Sequence, residues 1–215
     1  MTLRALVFIL AVLPLIGCQR SIALTPLAEG GQSLAEQGGR PYVEARKRHL
    51  LRLWPADSGD GVHRVRLVLT LQNLGREEIA VDPHQMEARL VVDEQERPVK
   101  LVTYRQLLKE QNQVHGVAML NTGVNEVGAV LYPMVHQIHQ NEREGYIRQH
   151  EARLADLKNH MLRRQMVLPG VTAMGRLVLA LPEGYAWGDV LELTVPFDQE
   201  RYRFRLRMER MRRWP

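Results

Sequence analysis

The sequence predicts a mainly β fold, a β-sandwich that carries an inserted pair of helices. Two observations lead to this prediction. Short segments in which apolar and polar residues alternate recur along the chain and are separated by turn residues, as in β-sandwiches. One long segment, residues 106–164, shows instead the three- and four-residue apolar spacing of helices. We therefore expect one β core with a helical insertion.

The amino terminus has the pattern of a secretory signal peptide over residues 1–17. Arg4 precedes an apolar run, residues 5–16, that is shorter than the roughly 20 residues of a transmembrane helix. The run ends in Leu-Ile-Gly-Cys at residues 15–18, which resembles the bacterial lipobox. That resemblance implies cleavage before Cys18 and acylation of its thiol, so that lipid holds the protein on a bacterial membrane.

Cys18 is the only cysteine in the sequence, so it cannot form an internal disulfide, which needs two. Lipidation would give its thiol a role. An ordinary signal peptide with an incidental cysteine is the alternative. Gln19 follows the cysteine at the position where lipoproteins kept in the inner membrane commonly carry Asp. The resemblance to lipoproteins therefore favours the periplasmic face of the outer membrane.

Composition divides the rest of the chain into two parts. Residues 18–40 are rich in Gly, Ala, Ser and Gln, which predicts a flexible, lipidated tether with a reach of about 25 Å. Residues 41–215 are long enough for one domain with a substantial core. The formal net charge of the whole sequence is +5. We expect no nucleic-acid partner despite this charge, because the predicted location is the cell envelope.

Strands are predicted where apolar residues alternate with polar ones. The clearest is 64–72, in which Val65, Leu67, Leu69 and Leu71 would all point inward. The other predicted strands are residues 50–54, 79–81, 86–92, 98–104, 190–197 and 201–209.

Several of these strands and turns resemble small immunoglobulin-like domains of bacterial envelope proteins. The matching residues are 65–75 (VRLVLTLQNLG), 79–83 (IAVDP), 168–170 (LPG) and 175–178 (GRLV). The resemblance covers residues 60–104 and 165–210, and it implies an immunoglobulin-like β-sandwich. Such domains share no single activity, so the resemblance does not identify a function.

Residues 106–164 stand where such domains usually have a short connection, and they predict a helical hairpin. A first apolar stripe has the spacing of a helix that packs on another helix. Its members are Val117, Leu120, Val124, Val127, Leu131, Met134 and Ile138. A second stripe over 147–161 would pack against the first after a break near Gly145. Pro133 is expected to kink or interrupt the first helix.

The first predicted helix offers one candidate partner-binding surface. Residues 114–135 contain a single charge, Glu126, and several glycines that would let another backbone approach closely. The candidate contacts to an envelope protein or a membrane interface are Val117, Val124, Val127 and Leu131. The alternative is an inner helix that is covered by its neighbour and by one face of the sandwich.

The last predicted strand offers a second candidate surface, because four arginines project from one of its faces. They are Arg201, Arg203, Arg205 and Arg207. Like charges along a strand repel each other unless anions lie among them. Glu192 on the adjacent strand is a candidate anion inside the fold. Outside the fold, anionic lipid, peptidoglycan carboxylates or an acidic protein are the candidates.

His136 and His139 are the candidate metal ligands, since their spacing can place two imidazoles on one side of a helix. Zinc needs three or four ligands, and nothing in the sequence fixes a third. Exposed helical histidines without a metal are the alternative interpretation.

The sequence contains none of the common hydrolase, phosphate-binding or metalloprotease motifs. It therefore predicts a non-enzymatic, membrane-anchored envelope lipoprotein with a protein-interaction or assembly role and no cofactor. The alternative prediction is a periplasmic lipoprotein that binds a ligand or a metal through the hairpin histidines.

Overall fold

The protein is mainly β, with ten antiparallel strands in one sheet that curls into a nearly closed barrel, and with two helices. The computed structural model describes residues 22–56, 63–114 and 133–210, and side chains throughout these ranges except at 133–143. The immunoglobulin-like β-sandwich predicted from the sequence is wrong. One continuous sheet wraps around the core, whereas a sandwich would place two separate sheets face to face.

The sheet order brings distant parts of the chain together. The strands are β1 (Ile22–Leu27), β2 (Gln32–Gln37), β3 (Arg40–Arg46), β4 (Leu50–Pro55), β5 (Arg64–Gln72), β6 (Ile79–Val81), β7 (Glu87–Val92), β8 (Gln95–Leu101), β9 (Gln165–Val167), β10 (Thr172–Ala180), β11 (Val190–Phe197) and β12 (Glu200–Arg210). The order in the sheet is β1-β12-β11-β7-β8-β10-β5-β4-β3-β2. Strands β6 and β9 form a separate two-stranded sheet.

Alternating residues build the core of the barrel, as the sequence predicts. In β5 the side chains of Val65, Leu67, Leu69 and Leu71 are buried, whereas their neighbours on the strand are half-buried. Strands β11 and β12 alternate in the same way. A side-chain period of two directs one face of each strand inward, and the curled sheet gathers these inward faces into one cluster.

The two edges of the sheet, β1 and β2, meet at a seam without pairing as strands. The four residues 28–31 connect β1 to β2 and so cross the seam, with Gly30 and Gly31 at positive φ. Side chains add further links, because the Gln32 amide donates to the Arg203 carbonyl and the Lys47 amine donates to the Arg201 carbonyl at 2.8 Å. The barrel is therefore closed by a turn and by side chains.

The segment expected to be a flexible tether, residues 18–40, contains regular strands in its described part. Strand β1 pairs with β12 from Ile22 opposite Arg210 to Leu27 opposite Arg205. Strand β2 is an edge strand in which no residue is fully buried. Its sequence therefore lacks the alternating apolar residues by which a strand is usually recognised. The prediction of a tether is wrong for these two strands.

The predicted helical insertion contains two helices, α1 over residues 104–114 and α2 over Pro133–His160. Thr103 begins α1 with a reciprocal cap, because its hydroxyl accepts from the Gln106 N–H at 3.2 Å while the Gln106 side chain accepts from the Thr103 N–H at 3.0 Å. Helix α2 passes through Gly145, so the break predicted there is wrong. Over the described residues, no helix is long and apolar enough to cross a membrane.

Strands β8 and β10 separate soon after they meet, which opens the barrel wall. Leu101 pairs with Leu179 and Lys100 with Ala180, and the last backbone hydrogen bond between the two segments runs from the Val102 N–H to the Val178 carbonyl at 2.8 Å. Farther along β10, the chain that leaves α2 takes the place of β8, with Met161 forming a parallel bridge to Arg176. This exit segment, residues 161–164, forms one wall of the opening.

Candidate functional site

Strand β12 presents its arginines on the outside of the barrel, as the sequence predicts. Tyr202, Phe204, Leu206 and Met208 are buried, and the residues between them point outward. Of the arginines, Arg201, Arg203 and Arg207 are exposed and Arg205 is half-buried. The alternation places a row of guanidinium groups along the strand next to the seam.

Carboxylates compensate part of this arginine row. Glu192, on the neighbouring β11, lies 3.3 Å from Arg203 Nε and 3.9 Å from Arg205 Nε, which agrees with its predicted role. Arg205 also pairs with Glu29 in the turn that crosses the seam. Within the described parts of the chain, Arg201 and Arg207 have no carboxylate partner. The row therefore retains positive charge at both of its ends.

The end of β3 and the turn that follows it add basic residues on the other side of the seam. Arg46 and Lys47, together with Arg201 and Arg203, line a cleft of about 280 Å³. We call these four residues the basic seam. The Lys47 ammonium lies 5.1 Å from the centre of the Tyr202 ring, a cation–π contact that holds it at the cleft. Arg48 lies beside the cleft and pairs with Asp198 at 3.1 Å.

A buried histidine fixes the position of the β3–β4 turn. His49 is 1% exposed, and its Nδ1 accepts a hydrogen bond from the Leu74 N–H at 3.3 Å. Its Nε2 lies 3.4 Å from the Asp198 carboxylate. The backbone N–H of His49 donates to the Tyr202 hydroxyl at 3.1 Å. Both ring nitrogens thus have partners within the fold, which hold the β3–β4 turn in place.

The Tyr202 hydroxyl completes this cluster by donating to Glu200. Burial of the ring, with further help from that hydrogen bond to Glu200, raises the pKa of Tyr202 above its usual value. The hydroxyl thus remains a neutral donor in the ordinary range of pH. Sequence reasoning missed the cluster, because its members are brought together by two turns that are distant in the chain.

Two ion pairs attach the helices to the outside of the sheet. Arg64 on β5 makes a bidentate pair with Glu110 on α1, at 2.8 and 2.9 Å. Arg176 on β10 pairs with Asp156 on α2 at 2.7 Å. The Arg176 guanidinium, and less strongly His160, lower the pKa of Asp156 below its usual value against the opposing effect of burial. These contacts anchor the helices and form no reactive group.

The other sequence-predicted site residues lie largely outside the described residues. This holds for Cys18 and for the hairpin residues Val117, Val124, Val127 and Leu131. His136 and His139 lie three positions apart in α2, and their side chains are not among those described. Across the side chains that are described, no group of three or more His, Cys, Asp or Glu residues could hold a metal ion.

No family model matches the chain, and no curated protein matches its sequence. Among solved structures, the chain is similar to the crystal structure of the yjhA protein from Bacillus subtilis, with a TM-score of 0.31 and 11% sequence identity. That match covers 74% of this chain and 76% of the yjhA chain. At this TM-score the similarity carries no argument about function, which we infer from the geometry of the chain.

Proposed function

We propose that the protein is a non-enzymatic, lipid-anchored protein of the bacterial cell envelope that binds an acidic segment of another envelope protein through the basic seam. One observation carries this proposal. Cations from two parts of the chain, β12 and the end of β3 with the turn that follows it, converge on one cleft and are only partly matched by carboxylates. Exposed guanidinium groups in such an array are suited to bidentate contacts with carboxylates of a partner.

The packing beneath the seam supports a preformed binding surface. Tyr202 and Phe204 are buried on the inner side of β12, and His49 ties the β3–β4 turn to the turn between β11 and β12. A rigid strand and a fixed turn present the cations without further ordering. A preformed surface loses less conformational entropy on binding, which favours affinity.

Chain length argues that the partner lies away from the anchoring membrane. Three residues separate Cys18 from Ile22, so the Cα atoms of these two residues are at most about 14 Å apart. Ile22 pairs with Arg210 at one end of β12, and Arg201 is near the other end, about 30 Å along the strand. A lipid on Cys18 would therefore keep the Arg210 end of β12 near the membrane, while the basic seam lies toward the other end of the strand.

Site-specific photo-crosslinking in intact cells tests this proposal. A photoreactive residue at Ser33, an exposed position on β2 close to the seam, should trap a discrete envelope protein through an acidic peptide. The double variant Lys47→Glu, Arg201→Glu should lose the product. Arg210→Glu is the matched control, because it reverses an exposed charge at the opposite end of β12 and should leave crosslinking unchanged.

Three results would contradict the proposal. One is a product that survives charge reversal at the seam, another is attachment to lipid or peptidoglycan instead of protein, and the third is the absence of any product. The anchor is tested separately by metabolic labelling with an alkyne fatty acid. The label should be present on the wild-type chain and absent from Cys18→Ser, and equal labelling of both would contradict lipidation at this residue.

A further inference from the structure

The opening between β8 and β10 contains a cavity of about 920 Å³. This volume lies within the range of about 300–1,000 Å³ that is typical of small-molecule sites. Strands β7, β8 and β10, the beginning of α1, and the exit segment after α2 line it. The cavity is on a different part of the barrel from the basic seam, so the inference below does not depend on the proposed function.

The floor of the cavity is apolar. Each of its side chains is buried to more than nine-tenths; most belong to the barrel core, whereas Val102 and Met161 belong to a second apolar cluster that includes Val178 of β10. The side chains of the floor include Met86, Ala88, Val99, Val102, Met161 and Leu162. A ligand that reaches this floor must present an apolar group, because an unpaired polar group would lose its hydration there.

The rim of the cavity is basic. Arg105 and Arg163 line it and are exposed, and neither has a carboxylate partner among the described residues. The Arg163 guanidinium lies 5.4 Å from the centre of the Tyr104 ring and donates to the Lys158 carbonyl at 2.7 Å, which holds it at the rim. Arg89, by contrast, is already paired with Glu87 and Glu96.

We propose that this cavity binds an amphiphilic carboxylate, a molecule with one apolar chain and one carboxylate group. The chain would cover the apolar floor, and the carboxylate would pair with Arg105 and Arg163 at the rim. Guanidinium groups bind carboxylates through charge-assisted hydrogen bonds, which a neutral head group cannot form equally well. The combination of an apolar floor with a cationic rim distinguishes this ligand class from sugars and uncharged lipids.

Calorimetric titration of dodecanoate into the full chain carrying Cys18→Ser tests the proposal, in detergent-free buffer and below the micelle concentration. We expect saturable binding of one molecule per chain and weaker binding of the neutral analogue dodecanol. The double variant Arg105→Ala, Arg163→Ala should weaken dodecanoate binding at least about tenfold. Removing a single hydrogen bond to a charged group usually lowers affinity by about this factor or more. The matched control Arg207→Ala removes an exposed arginine elsewhere and should bind as the parent protein does.

A second measurement separates loss of the site from loss of the fold. Dodecanoate should raise the melting temperature of the parent protein and of Arg207→Ala, and it should not raise that of the double variant, whose own melting temperature should match the parent's. Binding that does not saturate, that is equal for dodecanol, or that the double variant retains in full would overturn the proposal.

Discussion

Gly175 on β10 lies directly against Leu162. A Cβ atom added to Gly175 would stand 2.5 Å from the Leu162 Cα and 2.6 Å from its backbone nitrogen. The Leu162 N–H donates to the Arg176 carbonyl at 3.0 Å, so the exit segment after α2 is bound to β10 as an additional strand would be. The missing side chain of Gly175 is what permits this contact.

Gly175→Ala should therefore destabilise the protein. The new methyl group meets backbone atoms, which cannot turn aside as the end of a flexible side chain can. We expect a loss of about 1–3 kcal/mol in the free energy of unfolding, the usual cost of overpacking. Urea denaturation followed by circular dichroism measures this loss through the shift in the transition midpoint.

Gly145→Ala is the matched control for that substitution. Gly145 lies within α2, and a Cβ added to it would meet nothing within 4 Å. Alanine has the higher helix propensity, so this variant should gain about 0.5–1 kcal/mol. If both alanine variants shift the midpoint in the same direction, the close approach at Leu162 is not as described.

Asn73→Ala should cost about 2 kcal/mol or more, because it leaves several buried polar groups without partners. Asn73 is fully buried, and its amide donates to the Glu77 and Val167 carbonyls at 2.6 and 2.9 Å. Its side-chain oxygen accepts from the Gly75 N–H at 2.8 Å. Thermal unfolding measures the loss. The neighbouring Leu74→Ala, at an exposed position, should change stability by less than about 0.5 kcal/mol, and an equal effect of the two would contradict this account.

The Asp156–Arg176 pair should make stability depend on pH at the acidic end. Arg176 lowers the pKa of folded Asp156 below the unfolded value of about 3.9, so the pair stabilises the fold above that value. The stabilisation is lost as pH falls through the lower, folded pKa. We expect Asp156→Asn to be less stable than wild type at pH 7 and the two to converge below about pH 4. Urea midpoints measured across this range give the comparison, and a constant difference would exclude the linkage.

The bidentate pair between Arg64 and Glu110 should give a small coupling energy. Both side chains are more than a third exposed, at 38% and 44%, so solvent screens their attraction. A double-mutant cycle with Arg64→Ala and Glu110→Ala should yield about 0.2–1 kcal/mol, as for other partly exposed pairs. A coupling near zero would show that this ion pair does not help to hold α1 on the sheet.

Features that depend on local residue patterns could be predicted from the sequence. The inward side chains of β5, the alternation of β12 and the role of Glu192 beside Arg203 all follow from a period of two along a strand. For the same reason the arginine row could be recognised as a surface. Each of these inferences needs a single segment or a pair of adjacent strands.

The barrel could not be predicted in this way, because sandwiches and barrels have the same local alternation. What separates them is which strands pair, and β1 pairs with a strand far away in sequence. Edge strand β2 has no buried face and so shows no apolar alternation. Without that pattern, the Gly- and Gln-rich residues around it predict a tether. At Gly145 the helix continues although the intrinsic propensity of glycine disfavours it. The His49 cluster likewise depends on contacts between distant turns.

The pairing of β1 with β12 also determines the order in which the chain can fold. Ile22 belongs to the first described strand and its partner, Arg210, to the last, so β1 cannot pair until the chain as far as β12 is present. Pairing over such sequence distances makes all-β proteins fold slowly, on the scale of milliseconds to seconds. Until β12 arrives, β1 and β11 have unpaired edges, which are sites of aggregation. A chain that stops before residue 200 would keep those edges exposed, so its accumulation should depend on how quickly the cell degrades it.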